Sequence, residues 1–350
     1  MQSRQELIEI ILAGNKTVSH RTAEIWAKYL SQLKGCRLFS VAAQEVDPEG
    51  WLRARTNGIG GSDIAAIIGE NPWSSPRKIW MSKLNMFGAD KPAEQAEPAR
   101  WGNLLESTIA EEWARRTGRK WIHIPVTLQS EENPWMLANV DGFTLTDDGE
   151  HIYGILEIKT TTAHNEDTWK NGPIPFYYMC QTNWYCGICQ LPVYDIVCLV
   201  GGQHLYYYSV PADADLFKRE TEAASDFWNN NVLKGIEPAA TDTDVESLSK
   251  AEHDEEAEPA ILTDEESTRL ADAYCTIRDK ISALDKVKKA LYAQLYVCLG
   301  KSTAGIIGEH TVSIITKKTR KIDYNKLLNE FPEAYEACVD YTVSSSLNIK

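Results

Sequence analysis

Residues 152–160 read Ile-Tyr-Gly-Ile-Leu-Glu-Ile-Lys-Thr, a short apolar run that predicts a β-strand. Successive side chains of a strand alternate between its two faces, so Glu157 and Lys159 point one way while Ile158 packs behind them. A second extended run ends at Asp141, sixteen positions before Glu157. The sequence therefore predicts an acid and a base on one strand face, with a second acid opposite them.

Two carboxylates about 4 Å apart repel by roughly 4 kcal/mol at an effective dielectric near 20, so a site that keeps both ionised calls for a cation. Mg²⁺ prefers oxygen ligands and keeps bound waters, which suits Asp141, Glu157 and the carbonyl of Ile158. Lys159 could orient the attacking water or stabilise charge on a pentavalent phosphate. This pattern favours metal-dependent phosphodiester cleavage, although a solvated pair at a strand end is the simpler alternative.

Two helix patterns add polar side chains to this candidate site. In the helix that begins at Asn103, apolar residues recur at helix spacing and Glu106 falls outside their stripe, so it can face a site. Farther along, Tyr178 and Gln181 lie three positions apart on one side of another helix.

A glycine turn precedes a third helix pattern, residues 64–68. Ser62 or Asp63 is the predicted N-cap of that helix. Because a helix begins with unpaired N–H groups, its start is a ready site for an anion.

In chain order, these pieces resemble the YqaJ-type viral recombinase family, which includes the lambda exonuclease and belongs to the PD-(D/E)xK nuclease superfamily. The motifs are Trp51 and Arg55 before Gly61-Ser62, Gly102 to Glu106, Asn139-Val140-Asp141-Gly142, Leu156-Glu157-Ile158-Lys159-Thr160, and Tyr178 to Gln181. The resemblance covers about Trp51 to Trp228, with a weaker echo toward the C-terminus. One such motif alone is a weak signal, and their order is the specific one.

The resemblance implies a role for each matching residue. The implied catalytic residues are Glu106, Asp141, Glu157, Lys159, Gln181 and Tyr178, and the implied metal ligands are Glu106, Asp141, Glu157 and Ile158. Arg55 matches the arginine that binds a terminal 5′-phosphate, and Ser62 matches its neighbouring phosphate contact. A guanidinium can hold a phosphate bidentately and cannot lose its charge. Arg53 is an alternative for this contact, and an ordinary surface salt bridge is the alternative role for Arg55.

The resemblance also implies an activity and partners. We expect Mg²⁺, with Mn²⁺ as a possible substitute and two ions per site, to support digestion of duplex DNA ends from the 5′ side. The remaining 3′ overhang would load a single-strand annealing protein, and a ring-forming homo-oligomer could enclose the DNA.

Three alternatives stay open. A DNA endonuclease would share the same core chemistry, and a catalytically inactive recombination scaffold would share only the fold. Some nucleases of this superfamily carry an iron–sulfur cluster on one early and three late cysteines. The cysteines that fit that pattern are Cys36, Cys180, Cys186, Cys189 and Cys198.

Composition agrees with an intracellular enzyme. The chain has 350 residues, of which 43% are apolar, enough to bury a core of ordinary size. No stretch approaches the roughly eighteen apolar residues of a membrane span, and no signal peptide pattern opens the chain, so we expect a cytoplasmic protein without a membrane partner. The eight cysteines lack regular spacing and fit reduced thiols.

The net charge of −14 argues against indiscriminate DNA binding. Residues 241–268 carry −10 of it, and residues 269–350 carry +4, which leaves −8 for residues 1–240. We therefore expect local DNA contact in a lined channel.

The alternation of helix and strand patterns predicts an α/β fold, a PD-(D/E)xK nuclease core with a central mixed β-sheet flanked by helices. The predicted segments are a helical N-terminal extension (1–44), the nuclease core (45–236), an acidic solvated linker (237–260), a long helix (261–300) and a small C-terminal α+β module (301–350) of hairpin, helix and strand. The long helix carries apolar residues along one side, which suits a helical hairpin partner or a coiled-coil contact.

Overall fold

The computed structural model describes residues 2–42, 47–84, 86, 97–170, 172, 174–250 and 261–340. The chain forms two compact units, Met1–Val245 and Glu246–Lys350. No helix within these described ranges is both long and apolar enough to cross a membrane.

The first unit is a mixed α/β structure. Its helices are α1 (Arg4–Gly14), α2 (His20–Leu30), α3 (Pro48–Thr56), α4 (Gly61–Ile67), α5 (Pro76–Lys83), α6 (Glu97–Thr117), α7 (Glu166–Lys170), α8 (Phe176–Cys189) and α9 (Ala214–Asp226). Its strands are β1 (Cys36–Ser40), β2 (Trp121–Ile122), β3 (Thr127–Ser130), β4 (Leu137–Ala138), β5 (Gly142–Leu145), β6 (Ile152–Thr161), β7 (Val193–Val200) and β8 (His204–Pro211).

Five strands form the central sheet in the order β2-β5-β6-β7-β8. β6 and β7 pair in parallel, and the remaining neighbours are antiparallel. The crossover between the parallel strands carries α7 and α8. A smaller antiparallel sheet has the order β1-β3-β4. The predicted mixed sheet flanked by helices is confirmed.

The two faces of β6 bury against different helices. Leu156 and Ile158 pack with Ile109 and Trp113 of α6, whereas Ile155 lies in the main core with residues of α8. Glu157 and Lys159 share the Ile155 face by strand alternation, so the fold directs both toward α8.

The N-terminal region is part of this core. Leu7 and Ile11 of α1 and Ala27 of α2 lie in the same buried cluster as Trp184 of α8. The sequence predicted only helices here, but β1 follows them and pairs with β3. A five-residue strand gives too short an alternation to be recognised without its partner.

The acidic segment predicted to be a solvated linker is packed at its start. Asp244 is fully buried and accepts a hydrogen bond from Ser75 Oγ at 2.6 Å, and Glu237 pairs with Arg77. These polar partners, contributed from about 160 positions away, offset the loss of hydration. Residues 251–260 of this segment lie outside the described residues.

The second unit has α11 (Glu265–Leu299), β9 (Ala304–Ile307), β10 (His310–Ser313), α12 (Tyr324–Glu330) and α13 (Pro332–Cys338), and α10 (Val245–Ser249) spans the boundary. β9 and β10 form an antiparallel hairpin. Asp264 caps α11 by accepting a hydrogen bond from the Ser267 N–H at 2.8 Å. The predicted last strand, 342–350, lies outside the described residues.

Glu220 of α9 is a carboxyl group buried in the first unit. It accepts a hydrogen bond from Asn183 Nδ2 at 3.4 Å, while its Oε1 has no hydrogen-bond partner among the described residues. Burial raises its pKa to about 8. The native state therefore holds a proton at Glu220 that the unfolded chain releases above its ordinary pKa of 4.5.

Replacing Glu220 by Gln should remove part of the pH dependence of stability. The native state binds more protons than the unfolded state between pH 4.5 and about 8, so the free energy of unfolding falls as pH rises through that window. Urea unfolding of metal-free protein from pH 5 to 9 should show a flatter profile for Glu220→Gln. The matched control is Glu222→Gln, an exposed position on the same helix. Parallel profiles for wild type and Glu220→Gln would contradict the assignment.

Candidate active site

The centre of the candidate site is Glu157 of β6, whose side chain is fully buried on the face of the strand that packs against α8. Its Oε1 accepts hydrogen bonds from Lys159 Nζ and from Gln181 Nε2, the latter at 2.5 Å. Its Oε2 is buried without a hydrogen-bond partner among the described residues. One oxygen is thus oriented by two donors, and the other is left for a further ligand.

Asp141 is the residue immediately before β5, and its side chain lies beside Glu157. Its Oδ2 accepts a hydrogen bond from the backbone N–H of Ile158 at 2.7 Å. Its own carbonyl lies 2.7 Å from Nδ1 of His123. The β5–β6 ladder, which pairs Gly142 with Leu156, sets this approach and brings the two acids together.

The charges of this cluster are strongly coupled. Burial, and after it the neighbouring Asp141 carboxylate, raise the pKa of Glu157 to about 8. Burial also raises the pKa of Asp141, although Lys159 opposes the shift. For Lys159 burial would lower the pKa, but the two carboxylates outweigh it and the net pKa is raised, so the amine stays an ammonium. Two acids therefore share one buried cation.

A cleft of about 330 Å³ opens beside Asp141. Glu106 of α6 and Gln181 of α8 also line it, and the Glu106 charge contributes to raising the pKa of Glu157. Tyr178 lies beside the lysine, with its ring centre 5.2 Å from Lys159 Nζ. The structure thus brings the predicted acidic, amide and lysine side chains into one neighbourhood.

The acidic side chains of the described residues do not form a complete metal-binding group on their own. No group of three His, Cys, Asp or Glu side chains in the described ranges is arranged to hold a metal ion. The donors nevertheless fit a hard cation, because Asp141 and the orphaned Glu157 Oε2 are oxygens that lack full charge compensation. The predicted ligand set of Glu106, Asp141, Glu157 and Ile158 stays a prediction.

Arg55 and Ser62 line the same cleft as Asp141. Arg55 Nη2 donates a hydrogen bond to Ser62 Oγ at 2.6 Å, and its guanidinium lies 4.8 Å from the centre of the Trp51 ring. Arg53 instead pairs with Glu49 at the exposed surface, 3.5 Å away, and is not a lining residue. Of the two arginines, the structure therefore places Arg55 in the cleft.

The predicted N-cap of α4 is wrong by two or three positions. Gly60 is the N-cap, and Asp63 is the third helical residue, where its Oδ2 accepts a hydrogen bond from the Gly60 N–H at 3.0 Å. The helix begins at Gly61, before the predicted position, because the Asp63 side chain within its first turn pairs with the backbone N–H of Gly60. Gly61 is also needed for contact, since a Cβ there would lie 2.5 Å from the Tyr185 ring and 2.8 Å from the Gln181 carbonyl.

A buried ion pair that sequence reasoning missed supports the Arg55 side of the cleft. Lys83 Nζ donates to Asp63 Oδ2 at 2.7 Å and to the Arg55 carbonyl at 3.0 Å. The Lys83 side chain is only 4% exposed. Lys83 thereby ties the end of α3 to the start of α4. Lys83 lies 20 positions after Asp63 in the sequence, so no local sequence pattern predicts this ion pair.

Four further polar residues of the cleft were not predicted as site residues: Asn103, His123, Asn139 and Tyr185. A helical spacing could have found two of them. Tyr185 lies one turn after Gln181, and its hydroxyl accepts a hydrogen bond from Gln181 Nε2 at 3.2 Å, while Asn103 lies three positions before Glu106. His123 had no such signal because the fold alone brings it to Asp141.

The cysteines of the iron–sulfur alternative lie in separate surroundings. Five are buried, and no three of them meet as a metal-binding group within the described ranges. Cys186 Sγ donates to the Val193 carbonyl, Cys36 contacts Cys189, and Cys198 lies in a separate apolar cluster with Trp169. These five side chains pack as buried thiols.

In this mixed sheet, the parallel strand β6 carries an acid-x-lysine motif, and the second acid, Asp141, directly precedes the adjacent strand β5. Residues 50–191 match the YqaJ-like viral recombinase domain. The chain is also 32% identical to the uncharacterized protein YqaJ of Bacillus subtilis strain 168 over 297 residues, which covers 83% of this chain and 91% of that protein. The chain belongs to the YqaJ-like viral recombinase family.

The solved structures to which the chain is similar are more distant in sequence. The alkaline exonuclease LHK-Exo of Laribacter hongkongensis is 17% identical, with a TM-score of 0.41, and the match covers 54% of this chain and 94% of that one. A phage-related exonuclease from Haemophilus somnus 129PT is 16% identical, with a TM-score of 0.34. That match covers 51% of this chain and 96% of the exonuclease chain.

Replacing Lys83 by Met should destabilise the first unit by roughly 1.5–3 kcal/mol, because the buried Asp63 carboxylate loses its ammonium partner and keeps only the Arg55 guanidinium, 3.8 Å away. Urea unfolding at pH 7 measures this loss. In the Lys83→Met/Asp63→Asn double variant, stability should partly return, since both charges are then absent. A single variant within about 0.5 kcal/mol of wild type would show that the pair is not a structural tie.

Proposed function

We propose that the protein is a metal-dependent exonuclease that degrades the 5′-ended strand of linear duplex DNA. The 3′ overhang it leaves would serve phage-type homologous recombination by single-strand annealing. The observation that carries this proposal is the shared cleft, in which Arg55 and Ser62 lie together with Asp141 and Glu106. Family membership supports a recombination role.

The cleft suggests how an end could be recognised. Arg55 and Ser62 offer a guanidinium and a hydroxyl already held 2.6 Å apart, a donor pair suited to a terminal phosphate. Asp141 and Glu106 lie on other walls of the same cleft, where a scissile phosphate could enter. A 5′-phosphate at Arg55 would then place the first nucleotides of that strand beside the acids, which favours cleavage from the 5′ end.

Mg²⁺, with Mn²⁺ as a substitute, is the proposed cofactor, held by Asp141, Glu157, the Ile158 carbonyl and Glu106, with two ions per site. When bound, such ions polarise the phosphate and lower the pKa of water. Gln181 keeps Glu157 in one orientation through its amide. Lys159 remains protonated and brings positive charge to the phosphate as its negative charge develops. Hydrolysis on this plan releases nucleoside 5′-monophosphates.

The proposed partners are duplex DNA ends, a single-strand annealing protein and further copies of the chain in a ring. The net charge of −14 makes general attraction to DNA weak, so enclosure by a ring would favour processivity. The long helix α11 supports self-association because it has no buried residue, and apolar side chains recur at heptad spacing along it, interrupted at Lys288. Those positions are Leu270, Tyr274, Ile277, Ile281, Leu284, Leu291 and Leu295, all of them at least 36% exposed.

An endonuclease with the same chemistry is the alternative. It would nick covalently closed circular duplex, which an end-dependent exonuclease leaves intact. An inactive scaffold is disfavoured because Glu106, Asp141, Glu157 and Lys159 are all present.

Lys159→Ala should reduce cleavage of a 5′-phosphorylated linear duplex at least 100-fold, because it removes charge stabilisation in the transition state. Affinity for the same duplex, measured by fluorescence anisotropy in chelator, should stay within about threefold. Circular dichroism checks the fold, and Lys28→Ala, whose partner is the exposed Glu150, is the control. A variant that keeps more than about a tenth of the activity would contradict this role, and wild-type cleavage in chelator would contradict the metal.

Arg55→Ala should abolish discrimination between 5′-phosphorylated and 5′-hydroxyl ends. Because charge-assisted hydrogen bonds contribute roughly 1.5–3 kcal/mol, wild type should degrade phosphorylated ends roughly 10- to 100-fold faster. The initial rates on both substrates give the ratio, which should fall to about one. Arg53→Ala is the matched control, two residues away and outside the cleft. Equal wild-type rates on both ends would remove the argument for 5′ polarity.

A further inference from the structure

Trp73 presents a large exposed ring from a fixed backbone. Its side chain is 65% exposed, whereas Trp113, Trp169 and Trp184 are buried. Asn71 Oδ1 accepts hydrogen bonds from the N–H groups of Trp73 at 2.9 Å and Ser74 at 3.1 Å.

The carbonyl of Trp73 is held as well, since it accepts a hydrogen bond from Lys78 Nζ at 3.3 Å. Prolines at 72 and 76 further restrict this connection between α4 and α5. The backbone is thus fixed on both sides of a residue whose apolar ring faces solvent, an arrangement suited to a rigid contact surface.

An aromatic path joins this ring to the candidate active site. The Trp73 and Tyr177 ring centres are 5.0 Å apart at 79°, and those of Tyr177 and Tyr178 are 4.3 Å apart at 61°. The Tyr178 ring centre lies 5.2 Å from Lys159 Nζ, the ammonium that binds Glu157. Trp73 is therefore separated from the buried lysine by only two tyrosine rings.

The length of this path suits a nucleic acid strand. Its three contacts, from the Trp73 ring to Lys159 Nζ, are 5.0, 4.3 and 5.2 Å long. Stacked bases of one strand are spaced about 3.4 Å apart. The Trp73 ring thus lies within a few nucleotides of the residues that surround Glu157.

We propose that Trp73, supported by Tyr177, is a stacking platform for an unpaired base of the DNA strand, within a few nucleotides of the scissile position. The inference rests on the proposed nuclease function and extends it to single-stranded substrate. Stacking accepts any base because every base has a π-face, which suits digestion without sequence preference. Continuity with Lys159 through Tyr177 and Tyr178 favours DNA over a protein partner, because a surface reserved for a protein would not need to connect with the catalytic lysine.

Binding of a fluorescein-labelled oligothymidylate to the full chain in chelator tests the platform without cleavage. Trp73→Ala should weaken binding about 10-fold, within the range expected for loss of one stacked base. Trp73→Phe, which keeps an aromatic face, should stay within about threefold of wild type. Tyr207→Ala is the control, an aromatic residue 40% exposed on β8.

Unchanged affinity in Trp73→Ala would overturn the platform, as would an equal loss in Trp73→Phe. A change in sedimentation of Trp73→Ala with unchanged DNA affinity would assign the ring to protein contact and also overturn it. The nuclease proposal is tested separately by cleavage in Mg²⁺. If the wild type binds DNA through Trp73 but does not cleave it, the nuclease proposal is contradicted and the platform proposal is kept. If the wild type cleaves DNA but Trp73→Ala does not change binding, the platform proposal is contradicted and the nuclease proposal is kept.

Discussion

The buried contact of the Lys159 ammonium with Glu157, beside Asp141, is the interaction on which the rest of the site depends. Two acids in a dry environment repel, and each would take up a proton without a cation. Lys159 supplies one positive charge, and Gln181 adds a neutral donor. The remaining shortage of positive charge is the physical basis for proposing that a divalent ion binds there.

The fold is arranged to place groups around that contact. β6 presents Glu157 and Lys159 toward α8, while its opposite side chains fix α6 and with it Glu106. α4 approaches α8 closely because Gly61 has no Cβ, and this brings Ser62 to the cleft. The same helix α8 extends through Tyr178 and Tyr177 to Trp73, so one helix connects the buried lysine with an exposed ring.

Sequence reasoning was strongest where the signal was periodic. The strand that holds Glu157, the helix that holds Gln181 and the stripe that excludes Glu106 all follow from spacings of two or 3.6 residues. It was weakest for short or distant features. β1 was missed because its pattern is only five residues long, and the N-cap of α4 was misplaced because Asp63 caps the helix from its third position. The packing of Asp244 against Ser75 depends on residues far apart in the chain.

The sequence by itself determined the mixed α/β class, the resemblance to the recombinase family and the chemical identity of the acid-x-lysine strand, because these follow from local order along the chain. Only the tertiary structure decided which side chains share a space. It places Arg55 and Asp141 in one cleft and Arg53 outside that cleft. It also brings Lys83 into contact with Arg55 of α3 and Asp63 of α4. The reason is that burial and charge coupling depend on contacts between residues tens of positions apart, and no local pattern encodes them.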